Sequence, residues 1–104
     1  MNINDYVYLY VFDLEKSLVN MKKLRDDRFG RIVNKSILPN NNGNNVLLYD
    51  VKLLENKKTI QYRSDNLTTN IVSIEQLKNM IDNMNMSLDK KYMLKSQIDD
   101  IINQ

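Results

Sequence analysis

Apart from a short helical stretch after Asp13, the hydrophobic period of this chain changes once, at Ser73. Ahead of it, apolar side chains recur mostly at every second residue; beyond it, at every third or fourth. A period of two buries one face of a strand, and a period of about 3.6 buries one stripe of a helix. One switch of this kind, in 104 residues, restricts the chain to a β-rich part followed by a helical part, an α+β domain. Ser73 followed by Gln76 has the spacing of a capping box. Ile74, Leu77, Ile81 and Met84 then form one stripe, which predicts an amphipathic helix over 74–85. Ser87 and Asp89 can open a second helix over 88–103, with Leu94, Ile98, Ile101 and Ile102 as its apolar face. A linker of about three residues folds the two into an antiparallel hairpin.

Upstream, Tyr6–Phe12 is dense in aromatic and β-branched residues and reads as a strand. Alternation sets Val7, Leu9 and Val11 on one face and Tyr6, Tyr8, Tyr10 and Phe12 on the other. Asp13 can cap a short helix near 14–25. Phe29–Ile37 is a second strand, with Gly30 as a bend or bulge and Leu38-Pro39 as its stop. The Asn-rich stretch 40–45 is a loop. Val46–Leu54 and Thr59–Arg63 are strands joined by the turn 55–58, with Leu47, Tyr49, Val51 and Leu53 on one face of the first, and Ile60 and Tyr62 inward from the second. Residues 67–72 form a short extended piece. The expected fold is therefore a small, strongly bent antiparallel β-barrel or meander over 1–72, followed by a helical hairpin over 73–104 packed on it in a single domain. Val7, Leu9, Val11, Leu47, Val51 and Ile60 are its expected dry interior.

Composition narrows the chemistry. There is no Cys and no His, which removes disulfides, thiolate chemistry, the usual general base and the commonest transition-metal ligands. No enzymatic activity and no cofactor are expected. Asp50 and Lys52 on one strand, with Asp13 and Glu15 at another strand end, have a spacing that two carboxylates and a Lys could use around a metal and a phosphate, but an exposed strand carries such residues routinely. The apolar run at Tyr6–Phe12 is too short to span a membrane and follows no basic leader, so a soluble, cytoplasmic protein without membrane partners is expected. With 16 Asn and no Ala, the composition points to an AT-rich coding source such as a phage, a large DNA virus or a low-GC bacterium. The three Asn-x-Ser/Thr triplets, at Asn34, Asn66 and Asn85, are incidental at that Asn content.

Net charge is only +2, yet it is unevenly spread: −3 over residues 1–15, +7 over 16–63 and −2 over 64–104. A locally cationic middle can attract an anionic partner. Two groups of side chains stand out. Tyr6, Tyr8 and Tyr10 form an aromatic stripe, which either faces solvent as a platform or is covered by the helices. Lys22, Lys23, Arg25, Arg28 and Arg31, together with Lys52 and Arg63, form the basic set, in which Asp26 and Asp27 weaken the field. Met80, Met84, Met86 and Met93 in the hairpin are read as core filler.

Asp5–Leu9, then Phe29-Gly30-Arg31-Ile32-Val33, then Tyr49–Leu54 with a polar turn and Thr59–Arg63, and finally Asp65-Asn66-Leu67 make a series. Over roughly residues 5–70 it resembles the small five-stranded barrels of Tudor, KOW and Src-homology-three-like modules. The chain departs from that pattern in the helix between its first two strands and in a 55–58 turn without Gly. The resemblance implies a binding module. The expected function is thus non-enzymatic binding of a macromolecule, with a protein partner favoured over nucleic acid because net charge is small. An inhibitor or adaptor of a virus, phage or mobile element would fit. The alternative is a nucleic-acid-binding module using the tyrosine stripe and the basic middle. The hairpin can bury its stripe over the sheet or against a second copy in a homodimer.

Overall fold

Three consecutive residues of the first strand, Val7, Tyr8 and Leu9, are buried, so this strand has packed neighbours on both faces. It is β1, Tyr6–Val11, in a computed structural model that describes residues 1–39 and 43–104. The remaining elements are α1 (Leu14–Asn20), β2 (Phe29–Leu38), β3 (Val46–Leu53), β4 (Thr59–Arg63), β5 (Thr69–Ser73), α2 (Ile74–Asp82) and α3 (Leu88–Ile102). The strands form one antiparallel sheet in the order β4-β3-β2-β1-β5. Only the connection into β5 departs from a simple meander.

Alternation along β1 splits the interior in two. Tyr8 packs with Leu14, Leu18, Leu24, Phe29, Val72, Leu77, Ile81, Leu94 and Ile98, the core between sheet and helices. Val7 and Leu9 pack with Ile32, Tyr49, Val51 and Tyr62 on the concave side of the sheet. Each fully buried side chain of this size contributes about 1.5–3 kcal/mol, so β1 ties the two cores together.

The sheet curls without closing. Tyr62 of β4 and Ile71 of β5, from opposite edges, meet the same concave core, but no ladder joins β4 to β5. The expected barrel is therefore corrected to an open, bent sheet. The bend comes from a bulge between Ile32 and Asn34, which adds a residue to β2 and increases local twist. Gly30, expected to mark the bend, instead permits close approach. A Cβ there would lie 2.5 Å from Val51 Cγ1 and 3.0 Å from the Lys52 carbonyl oxygen.

Both termini of β1 turn out of the ladder through left-handed residues, Asn4 (φ 76°) and Phe12 (φ 65°). Phe12 therefore leaves the tyrosine face and is exposed, as is Val11; Ile60 is exposed at the β4 edge and Leu47 only half-buried. Val11 and Ile60 of the expected interior lie at a strand end and on the outermost strand and face water, whereas Leu47 packs partly buried against the concave core.

The helix near 14–25 stops at Asn20. Asp13 caps it as expected, accepting from the Lys16 N–H at 3.3 Å. Met21 is extended, and the chain then carries Leu24 into the helix-side core, where the Leu24 N–H donates to Gln97 Oε1 of α3 at 2.9 Å. A 3-10 turn at Asp26–Arg28 leads into β2. The capping box at Ser73 and Gln76 is present in full, and Leu77, Ile81, Leu94 and Ile98 are buried. The hairpin thus folds over the sheet, with Met80 and Met86 packed against its core and Met93 exposed.

Replacing Gly30 by Ala should lower unfolding free energy by about 1–3 kcal/mol in urea titrations. In Gly30→Ala/Val51→Ala the loss should be smaller than the sum of the two single losses, because the blocking methyl is gone. Additive losses would show that the close approach is not what excludes a side chain.

Candidate functional site

Cross-strand pairing sets Tyr6 of β1 opposite Arg31 of β2, and Arg31 opposite Lys52 of β3. Alternation places this row on the sheet face that carries Tyr8, Phe29 and Leu54 into the helix-side core. The row sits where α3 runs out, so its side chains border a cleft of about 570 Å³ instead of a packed interior. Leu53, Leu54, Ile101 and Ile102 provide the apolar part of the cleft, Lys57 and Glu55 reach it from the β3–β4 turn, and Asp26 from the 3-10 turn.

The charges of the cleft are largely unspent. Among the described residues, Arg31, Lys52, Lys57, Asp26 and Glu55 are in no ion pair. Arg31 Nη1 donates to Asn4 Oδ1 at 3.4 Å, a long contact. Ile101 and Ile102 are half-buried at the free end of the helical stripe. Such an arrangement can receive an apolar side chain on its floor and carboxylates on its cationic side.

The other sequence candidates are placed differently. Tyr8 is buried against Phe29, ring centroids 4.7 Å apart, so it is no binding platform. Tyr10 is half-buried against the helix-side core. Tyr8 and Tyr10 are covered because the helices need an apolar sheet face, while Tyr6 stays exposed at the cleft. Arg25 forks onto Asp27 at 3.1 and 2.7 Å, and Arg63 onto Asp65 at 2.9 and 2.8 Å. Each carboxylate raises its guanidinium further above its ordinary value, and Arg63 holds the Asp65 carboxyl below the usual range. Both arginines are thereby occupied by their own sequence neighbours. Lys22 and Lys23 are exposed between α1 and the 3-10 turn, and Arg28 is half-buried; none of the three lines the cleft. Of the ten candidates, Tyr6, Arg31 and Lys52 come together.

Sequence reading missed Lys57 and the Ile101–Ile102 floor as site residues. Lys57 stands in the left-handed region (φ 61°), the place a Gly would ordinarily take in such a turn. Its absence from the Glu55–Lys58 turn was the available signal. Asp50 accepts from Asn34 at 3.3 Å and Gln61 at 3.4 Å in a cross-strand row, while Asp13 is spent on capping α1. Among the described residues no three acidic groups gather as a metal site would require, and no helix is long and apolar enough to cross a membrane. Compared with models of protein families, with curated proteins and with solved structures, the chain matches none.

Burial pushes the Tyr8 phenol above its ordinary value, against an opposing pull from the Arg25 backbone and guanidinium; burial also raises Tyr10 and Tyr62. A phenol raised in the fold favours folding fully below the unfolded value of about 10 and loses that contribution as pH rises through the folded value. The urea midpoint should therefore fall as pH climbs past about 10, and Tyr8→Phe should make the fall shallower, with Tyr10 and Tyr62 supplying the remainder. An unchanged slope in Tyr8→Phe would contradict a buried Tyr8 hydroxyl.

Proposed function

We propose that this chain is a non-enzymatic binding protein whose cleft takes a mixed acidic and apolar segment of a protein partner. The observation that carries the reading is the row Tyr6–Arg31–Lys52, whose cations lack carboxylate partners among the described residues, beside a half-exposed apolar floor. An unpaired cation at the rim of a cleft can form a charge-assisted hydrogen bond with an incoming carboxylate, and a Tyr beside it adds contact area at low entropic cost.

Three features favour a peptide over a nucleic acid. Asp26 and Glu55 line the same cleft and would repel a continuous phosphate backbone. Two of the tyrosines that could have stacked on bases are withdrawn into or against the core. Arg25 and Arg63 are neutralised by Asp27 and Asp65. An inhibitor or adaptor role is compatible with such a site. The Src-homology-three-like likeness is retained in this proposal at the level of five antiparallel strands around a bent β2.

A short peptide alternating Glu and Leu, titrated into isotopically labelled protein, should shift the amide signals of Tyr6, Arg31, Lys52, Leu54 and Ile101. Arg31→Glu/Lys52→Glu should weaken it by roughly tenfold or more with an unchanged melting temperature. Lys57→Gly separates stability from function: relief of the left-handed backbone should stabilise the fold by about 0.5–1 kcal/mol, while loss of the charge weakens the peptide. Absence of shifts at these residues would overturn the cleft. Tighter binding of a single-stranded RNA with steep salt dependence would instead establish the nucleic-acid alternative.

A further inference from the structure

β2 is longer than the strand beside it. β1 pairs with it from Tyr6 opposite Arg31, and the last backbone bonds on that side are Asn4 N–H to the Ile32 carbonyl (2.7 Å) and Ile32 N–H to the Asp5 carbonyl (3.0 Å). Beyond the bulge, Asn34–Leu38 pairs with β3 alone, opposite Asp50–Val46.

The ladder shows which groups of that stretch are left over. On β3, Leu53 N–H donates to the Lys58 carbonyl and the Leu47 carbonyl accepts from the Ser64 N–H, so the odd-numbered residues of β3 bond toward β4. Val46, Leu48 and Asp50 must then bond toward β2, to their partners Leu38, Ser36 and Asn34. Lys35 and Ile37 therefore aim their N–H and C=O groups outward, and no backbone partner for them exists among the described residues.

The devices that usually blunt such an edge are missing from 34–38. The stretch holds no Pro, and its bulge precedes it. Its one cation is folded back, with Lys35 Nζ donating to the Met1 carbonyl at 3.2 Å and lying 6.0 Å from the centre of the Tyr49 ring. Ile37, 59% exposed, and Leu38, 38% exposed, add apolar surface. An exposed edge of this kind is a template for another strand.

We propose that the Asn34–Leu38 edge pairs with the same edge of a second copy, antiparallel about a two-fold axis at Ser36. The four outward groups are disposed symmetrically about Ser36, so this axis sets Lys35 of each chain opposite Ile37 of the other and satisfies all of them at once. It also keeps the two lysines from facing each other, sets Ser36 against Ser36, and covers Ile37. The interface is isologous and closed, so it yields a dimer and no filament. It lies on β2 beyond the bulge and involves none of the cleft residues.

Sedimentation equilibrium from micromolar to near-millimolar protein should show reversible association to two chains of 12.3 kDa each. Amide exchange at Lys35 and Ile37 should slow as concentration rises. Ile37→Lys puts like charges directly opposite, and Lys35→Pro removes an outward N–H that the β2–β3 ladder does not use. Each should weaken the dimer roughly tenfold or more, with the far-ultraviolet circular dichroism of the monomer unchanged. A monomer at every concentration, or dimers of both variants as strong as wild type, would overturn the proposal. The first result would leave the edge to a strand of a different protein.

Discussion

The double burial of β1 is the constraint on which the rest of the structure depends. A strand covered on one face needs only a single core. Val7 and Leu9 on one side, with Tyr8 on the other, demand two cores at once. The concave side is supplied by bending β2 at its bulge until β3 and β4 come over β1. The opposite side is supplied by α1 and the α2–α3 hairpin. Neither cover suffices alone, because a sheet of this size exposes more apolar surface than a single short layer can bury. The sheet accordingly curls without closing, and Tyr62 crosses from β4 toward Ile71 of β5 where backbone pairing does not.

The same constraint creates the cleft. Helices that must cover Tyr8, Phe29 and Val72 are set over β5, β1 and the start of β2, and α3 ends at Ile102 before it covers the row Tyr6–Arg31–Lys52. Two cations and a phenol on the helix-facing side of a sheet would be costly to bury without partners. At the margin of the helical layer they keep contact with water and remain open to a ligand. Lys57 holds a left-handed conformation at the same margin, a local conformational cost of the kind that concentrates at functional positions.

Local chemistry made most of the elements legible. Tyr6–Val11, Thr59–Arg63, the Ser73–Gln76 capping box, the Ser87 cap and the stripes through Leu77–Ile81 and Leu94–Ile98 lie where alternation, caps and periodicity place them, because each signal acts within one turn or one strand. The helix after Asp13 was legible at its capped start and not at its end, since Leu24 leaves the helix to meet Gln97, 73 positions away. The site was legible in part. Tyr6, Arg31 and Lys52 carry the right chemistry in the sequence, but nothing local distinguishes Tyr6 from Tyr8, or Arg31 from Arg25.

Composition and period alone thus determined an α+β chain of four strands, a short extended piece and a helical hairpin, without Cys or His to do chemistry, and the structure turns the extended piece into β5. Tertiary structure alone decided that the sheet stays open, that the helices take the tyrosine face, and that one tyrosine and two cations share a cleft. The division has a single physical reason. Periodicity reports which residues share a face, whereas what covers that face depends on register and on contacts between elements far apart in the chain.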